Sequence, residues 1–154
     1  MRILAAAILL AMAASPALAR ESLGVFDGWA AFRDPASGNS PPRCYAISET
    51  TGGDGGYATV GFWPAARVRA QVHIRLPRAM TPGTGTLSIG SRRFTMMVRG
   101  RGMWARDARM DAAIVAAMRG ERSMTATAGS WSGRWVLTGT ATAIDAAALG
   151  CARS

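Results

Sequence analysis

The sequence has few of the residues on which metal and thiol chemistry depend. It contains one histidine, His73, and two cysteines, Cys44 and Cys151, which stand more than a hundred positions apart. One imidazole excludes a multi-histidine metal site, and this cysteine spacing excludes a CxxC redox or zinc motif. Lysine is absent, so every basic residue is an arginine. We therefore predict neither a metal site nor a cofactor.

Long apolar runs are also missing, except at the start of the chain. Arg2 precedes an apolar stretch over residues 3–14, and residues 17–19 have the small-residue pattern of a cleavage site. A membrane span needs about 20 apolar residues, so this shorter run indicates a secretory signal peptide rather than an anchor. We predict a signal peptide over residues 1–19 and one mature domain over residues 20–154, exported to the periplasm or the extracellular space. No transmembrane segment is expected after the signal is removed.

Export would place both cysteines in an oxidising compartment, where disulfides persist. A Cys44–Cys151 disulfide would close a loop of about a hundred residues and contribute about 4–5 kcal/mol in the chain-entropy model. Two separate buried thiols are the alternative. We predict the disulfide, because the compartment favours it.

Negative charge is scarce. The chain has 18 basic residues against 9 acidic residues, and loss of Arg2 with the signal peptide lowers the formal net charge from +9 to +8. An excess of this size favours anionic partners, such as anionic lipid or lipopolysaccharide. Solubility is the simpler explanation, and a GC-rich genome would also explain arginine in place of lysine. Nucleic acid is not an expected partner, because we predict export and the sequence has no RNP-like motif.

Hydrophobic alternation indicates a mainly β fold. In its clearest instance, residues 67–76, apolar and polar side chains alternate strictly, as in a half-buried antiparallel strand. Gly90 and Ser91 suit a tight type II′ hairpin turn. Strands are predicted over residues 24–32, 44–48, 57–63, 67–76, 86–89, 94–98, 123–128 and 131–138, with loops over residues 34–42, 50–56 and 77–83.

Two helical segments interrupt the β pattern. Asp107 is the expected cap of a helix that ends at Gly120, and a second helix is predicted over residues 142–149, with Thr140 as its cap and Gly150 as its end. We therefore predict a β-sandwich or barrel-like antiparallel domain with one or two short α-helices.

Large apolar side chains are the candidates for its core, because such side chains are usually buried. Val25, Trp29 and Phe32 are expected to anchor the first strand. Trp104 and Trp135 are also expected in the core.

No segment matches a catalytic motif. His73 lies among arginines on a polar strand face, without an acidic residue in that strand to orient it as a base. Residues 129–133 place Trp131 where a nucleophile elbow needs serine. Asp107 and Asp111 do not have EF-hand spacing, and a helix cap and a solvated helix face explain them. We therefore predict no catalytic residue.

Seven arginines form the candidate binding surface. Some lie on the polar face of the alternating strand, and the others flank the strand after Gly90. Arginine binds phosphate and carboxylate groups through a bidentate fork. A solvated rim is the simpler interpretation, because positive charge alone is unspecific. The seven are Arg67, Arg69, Arg75, Arg92, Arg93, Arg99 and Arg101.

Several segments, taken in order, resemble the invasion-associated locus B family of exported proteobacterial proteins. They include Trp29, the Cys-Tyr-Ala-Ile-Ser-Glu run over residues 44–49, and Met-Trp-Ala-Arg-Asp over residues 103–107. The similarity continues through residues 114–120 and closes at Cys151, so it covers nearly the whole mature chain.

The resemblance implies a periplasmic or secreted β-sandwich with a disulfide and a role at the cell envelope. The family has no agreed catalytic residues that could be transferred. Our hypothesis is a non-enzymatic envelope protein that binds an anionic component, or a protein of the envelope or of a host. Two alternatives stay open: an envelope hydrolase that uses His73, and a structural assembly subunit that pairs through an exposed strand edge.

Overall fold

The computed structural model describes residues 19–152, and the predicted signal peptide lies outside these residues except for Ala19. The prediction of a mainly β, antiparallel domain with two helices is confirmed. The strands are β1 (Glu21–Phe26), β2 (Trp29–Asp34), β3 (Arg43–Glu49), β4 (Gly52–Gly53), β5 (Tyr57–Trp63), β6 (Val68–Ile89), β7 (Arg92–Trp104), β8 (Ser123–Ala128) and β9 (Trp131–Val136). The helices are α1 (Ala108–Gly120) and α2 (Thr140–Ala152).

The strands form one antiparallel sheet that returns on itself. Its order is β1-β2-β3-β5-β6-β8-β9-β4, and β7 also pairs with β6. Strand β4 lies inside the predicted loop over residues 50–56, directly after β3 in the chain, and pairs with β9 through Gly52 and Gly53. The strand reached through β9 is therefore a continuation of β3, which gives the sheet a barrel-like form.

Three buried tryptophans support this closure. The indole N–H group of each donates to a backbone carbonyl of another strand or, for Trp131, of the loop between β4 and β5, which satisfies a polar group that would otherwise be buried without a partner. Trp29 and Trp135 are fully buried, so their predicted place in the core is confirmed. The N···O distances are 2.9 Å from Trp29 to Val136, 3.0 Å from Trp131 to Gly55 and 3.1 Å from Trp135 to Ser48.

Strands β6 and β7 form a long hairpin that spans the sheet. The first part of β6 pairs with β5, its last part pairs with β8, and β7 pairs along both parts. The hairpin turns at Gly90 and Ser91, between the paired residues Ile89 and Arg92. Gly90 has a φ of +56°, the sign that a type II′ turn needs at its first central position. The predicted turn is confirmed.

The predicted loop over residues 77–83 is wrong, because these residues belong to β6. Their pairing with β7 is irregular, and the register slips on either side of Met80. Most of these side chains are exposed on both faces, so the apolar alternation that marks a half-buried strand is absent. Arg101 donates hydrogen bonds to the carbonyl oxygens of Leu76 and Pro77 beside the first slip. This side chain therefore supports the irregular part of the hairpin.

Helix α1 begins and ends where the sequence predicts. The carboxylate of Asp107 accepts a hydrogen bond from the backbone N–H of Met110 at 2.8 Å and caps the helix. On the buried side, Asp111 accepts from the backbone N–H of Val72 at 2.8 Å. Burial raises the pKa of Asp111, although the hydrogen bond from Val72 opposes this shift. Asp111 thus joins α1 to β6. The prediction that it lies on a solvated helix face is wrong, because its side chain is buried and bonded to the backbone of β6.

Helix α2 is longer than predicted at both ends. Thr140 is the first residue of the helix, and its hydroxyl oxygen is buried without a partner among the described residues, so it is not the expected cap. Gly150 does not end the helix. A Cβ at Gly150 would lie 2.5 Å from the Leu23 side chain, so glycine permits close packing of α2 on β1. In residues 19–152, neither helix has the length and apolar character that crossing a bilayer requires.

The Cys44–Cys151 disulfide is present and joins β3 to α2, with the two Cα atoms 5.7 Å apart. The two cysteines form a small buried cluster with Ala31 and Ala147. The predicted pairing is confirmed. It is compatible with an oxidising compartment.

The predicted first strand, residues 24–32, is two strands joined by a tight turn that begins at Asp27. Asp27 has a φ of +53°, and an Asp-Gly pair commonly forms such hairpin turns. The turn changes which side chains face inward. Trp29 is buried as predicted, but Val25 is 71% exposed and Phe32 is only partly buried, so these two predictions are wrong.

Candidate binding cleft and basic hairpin

An open cleft of about 500 Å³ lies on the outer face of the sheet. Strands β3, β5, β6 and β7 form its floor, and their side chains alternate between the core and the cleft. The register places Ile47, Thr59, His73 and Trp104 in one row across these four strands. Residues that are far apart in the chain therefore meet on one surface.

Two tryptophans of the cleft lean back over glycines of their own strands. Trp63 and Trp104 each follow a glycine by two residues, Gly61 in β5 and Gly102 in β7. A Cβ on either glycine would overlap the indole ring. Neither glycine has a positive φ, so the ring and not the backbone conformation requires glycine. The expectation that Trp104 lies in the core is wrong, because this ring is partly exposed in the cleft.

His73 supports Trp104 from the next strand. The two rings are stacked with centroids 4.9 Å apart. Burial, together with the nearby charge of Arg75, lowers the pKa of His73 to about 4, so the imidazole is neutral at pH 7. Its Nε2 atom is buried and has no hydrogen-bond partner among the described residues. A catalytic base needs a partner that orients it, so this geometry gives the hydrolase alternative no support.

One end of the cleft is organised around Asp34. Its carboxylate accepts hydrogen bonds from Nε of Arg20 at 2.8 Å and from Nε of Arg43 at 2.9 Å. Desolvation raises the pKa of Asp34, but the two hydrogen bonds outweigh it and hold the pKa below its ordinary value. The guanidinium of Arg20 also lies over the ring of Tyr45, 5.4 Å from the centroid. Both arginines are therefore fixed in place and share one negative charge.

The seven candidate arginines do not form one patch. Arg92 and Arg93 follow the turn at the tip of the β6–β7 hairpin, whereas Arg75 lies near its base. Arg67 and Arg69 line a second cavity of about 530 Å³, between the start of β6 and the end of α2. The structure therefore separates a base group, Arg67, Arg69 and Arg75, from a tip group, Arg92 and Arg93. Arg99 and Arg101 lie between them on β7, beside the irregular stretch around Met80.

The seven arginines nevertheless share one property, because none forms an ion pair within residues 19–152. Residues 67–104, which we call the basic hairpin, contain eight arginines and no Asp or Glu. The five arginines that do pair with carboxylates all lie outside this segment. They are Arg20, Arg33, Arg43, Arg106 and Arg119.

Acidic residues do not gather into a metal site in the described part of the chain. No group of three or more His, Cys, Asp or Glu residues that could hold a metal ion occurs in residues 19–152. Asp107 and Asp111, which the sequence brings close together, instead bond to the backbone of α1 and of β6.

No protein-family model, curated protein or solved structure matches this chain significantly. The similarity to the invasion-associated locus B family therefore stays a prediction, and it rests on the sequence segments quoted above. From its fold and its site, the chain is a disulfide-linked, barrel-like β protein with a cleft of about 500 Å³ on the outer face of its sheet.

Proposed function

We propose that this chain is an exported, non-enzymatic protein of the cell envelope that binds an anionic envelope component through the basic hairpin. The observation that carries the proposal is the separation of charge. Residues 67–104 contain eight arginines and no carboxylate, so the hairpin does not neutralise its own charge. Guanidinium forks suit the phosphate and carboxylate groups of anionic lipid and lipopolysaccharide.

Two observations support export. Residues 1–19 have the charge, length and small-residue pattern of a signal peptide. The Cys44–Cys151 disulfide is compatible with an oxidising periplasm or cell exterior. The similarity to the invasion-associated locus B family agrees with this location.

The arginines of the hairpin differ in how freely they can meet a partner. Arg101 donates to carbonyl groups of β6, and Arg92 lies over the ring of Phe94, 5.2 Å from its centroid. Arg93 and Arg99 are exposed on β7. We therefore assign the first contact to the tip group and Arg99, which are all exposed on β7. Arg101 is left out of the test, because its loss would also disturb β6.

Co-sedimentation with vesicles tests the proposal. Mature, oxidised protein is mixed with phosphatidylcholine vesicles, and with vesicles that also contain phosphatidylglycerol or lipopolysaccharide, across a salt series. Each arginine near an anionic surface contributes about 1 kcal/mol, so the Arg92→Ser/Arg93→Ser/Arg99→Ser variant should bind roughly a hundredfold more weakly. Binding of the parent protein should fade as salt rises, because salt screens exposed charges.

The matched control is Arg109→Ser/Arg122→Ser/Arg134→Ser, which removes the same charge from exposed positions outside the basic hairpin. Equal losses in the two triple variants would show that only net charge matters. The Arg67→Ser/Arg69→Ser/Arg75→Ser variant tests whether the base group takes part. If the parent protein does not bind anionic vesicles at low salt, the proposal is wrong and the charge serves solubility.

One observation favours the assembly alternative. Strand β1 is at an edge of the sheet, and its Val25 is 71% exposed. An exposed edge can pair with a second chain. Gel filtration over a range of concentrations decides, because an assembly subunit should form concentration-dependent oligomers and a monomer at every concentration would contradict this role.

A further inference from the structure

We propose that the outer-face cleft is a carbohydrate site, which binds a short chain of neutral sugar rings by stacking on Trp63 and Trp104 and by hydrogen bonds to the polar side chains beside them. Gln71, His73 and Trp104 of this site belong to the basic hairpin, but the site does not use the arginines of the hairpin, because a neutral ligand does not need their charges. The two proposals can therefore fail separately.

The dimensions of the cleft suit such a ligand. Its volume of about 500 Å³ lies within the range of about 300–1,000 Å³ for small-ligand sites. The row from Ile47 to Trp104 crosses four strands. At the usual strand spacing this is about 14 Å, the length of two or three sugar rings.

Aromatic side chains supply stacking surfaces. Besides the imidazole of His73, four rings line the cleft, those of Tyr45, Tyr57, Trp63 and Trp104. A sugar ring has an apolar face of C–H groups that packs against an aromatic face, while its edge carries hydroxyl groups. Trp104 is already held by His73 and by the space over Gly102. A ring that is fixed before the ligand arrives loses less conformational entropy on binding.

The indole N–H groups of the cleft are free to bond to a ligand. Nε1 of Trp29, of Trp131 and of Trp135 each donates to a backbone carbonyl. Nε1 of Trp63 and Nε1 of Trp104 have no acceptor within residues 19–152. Two donors that the fold does not use therefore lie beside the stacking surfaces.

The other polar groups of the cleft favour hydroxyl groups over an anion or a hydrocarbon. Gln71 offers both a donor and an acceptor, and the carboxylate of Glu49 can only accept. A sugar hydroxyl can donate to Glu49 and accept from an indole N–H at the same time. An anion would be repelled by Glu49, and a hydrocarbon would leave these groups without partners. Asp34 meanwhile offsets part of the charge of Arg20 and Arg43.

Isothermal titration calorimetry tests the site. Mature, oxidised protein is titrated at low and at high salt with cellotetraose, maltotetraose, mannotetraose, chitotetraose and, for comparison, tetragalacturonic acid. At least one neutral tetrasaccharide should bind with a dissociation constant in the millimolar range or tighter, and high salt should not weaken it. The Arg92→Ser/Arg93→Ser/Arg99→Ser variant should bind the same sugar as well as the parent protein does.

Single-methyl variants give the sharpest test. Gly102→Ala keeps Trp104 but pushes its ring aside, because the new Cβ would overlap it. We expect Gly102→Ala and Trp104→Ala each to weaken sugar binding at least about tenfold, as for a central aromatic contact. Gly61→Ala should act in the same way on Trp63. The control is Met97→Ala, which removes a 46% exposed apolar side chain of β7 outside the cleft and should leave binding unchanged.

Three results would overturn the proposal. In the first, none of the neutral tetrasaccharides binds the folded parent protein. In the second, Gly102→Ala and Met97→Ala bind equally well, each having a parent-like urea midpoint. In the third, only tetragalacturonic acid binds and salt abolishes the interaction, which would assign the contact to the arginines.

Discussion

The tryptophans divide between two regions of the molecule that differ in one respect. Inside the sheet, Trp29, Trp131 and Trp135 are buried, and each indole N–H is bonded to a carbonyl of the same chain. On the outer face, Trp63 and Trp104 are partly exposed and their N–H groups have no acceptor among the described residues. The inner tryptophans therefore stabilise the closed sheet, whereas the outer tryptophans have N–H groups that can donate to a ligand.

This difference shows how the same residue type can serve stability or binding in one small domain. A buried ring stabilises the fold through its apolar area only if its N–H finds a partner. The N–H group of a ring on the surface can donate to water, and a ligand can then replace that water. The hydrogen-bond state of each indole, rather than the number of tryptophans, therefore separates the two roles.

The largest expected effect concerns the disulfide on the inner side. Cys44→Ala/Cys151→Ala should lower the free energy of unfolding by about 4–5 kcal/mol, because a loop of about a hundred residues becomes free in the unfolded chain. Urea denaturation at neutral pH measures this loss. The neighbours of Cys44 in β3 face the cleft, so the folded fraction should still bind sugar. If the fully folded variant no longer bound sugar, the disulfide on the inner side and the cleft on the outer face would not be independent.

The next effect is a pH dependence that arises on the outer face. The pKa of His73 is lowered to about 4 in the folded protein. As pH falls, His73 therefore binds a proton in the unfolded chain before it does so in the folded protein. Stability should therefore fall as pH drops from about 6.5 to about 4, by up to about 3 kcal/mol and by less where solvent reaches the ring.

His73→Phe keeps a ring beside Trp104 and removes the titration. The variant should lose that part of the pH dependence in urea unfolding. If the pH dependence of the free energy of unfolding is the same in the variant as in the parent protein, it does not arise from His73. Asp111, which lies in α1 and contacts the same strand from its buried side, has an effect of the opposite sign on stability, because its raised pKa favours the folded state as pH falls.

The smallest effect compares the two groups of tryptophans directly. Trp135→Phe removes the donor to the buried carbonyl of Ser48 and should cost about 1–3 kcal/mol. Trp104→Phe breaks no internal hydrogen bond and should cost less than about 0.5 kcal/mol. Chemical denaturation of both variants measures the difference. Equal costs would mean that Trp104 is part of the core and would remove the contrast between the two regions.

The strands that the sequence predicted well are those with one buried face. Alternation over residues 67–76 and the run over residues 57–63 correspond to the start of β6 and to β5. The pattern failed over residues 77–83, because a hairpin exposed on both sides has no buried face to mark it. It also missed the turn at Asp27, although the Asp-Gly pair was present.

The cleft was not predicted, because its residues meet only through the register of four strands. One local feature does point to it. In β5, Ala58 and Val60 face inward, whereas the larger Tyr57 and Trp63 face outward. Large rings on the outer face of a strand are unexpected unless something covers them. A glycine two residues before a tryptophan is not a sufficient sign, since it also precedes the buried Trp135.

The two groups of indoles also act as two optical reporters. Tryptophan in a dry interior emits at shorter wavelengths than tryptophan in contact with water, so emission from Trp29, Trp131 and Trp135 should follow unfolding. Emission from Trp63 and Trp104 should follow what enters the cleft. A molecule that occupies the cleft would thus change the red side of the spectrum and leave the blue side intact, whereas denaturation would change both.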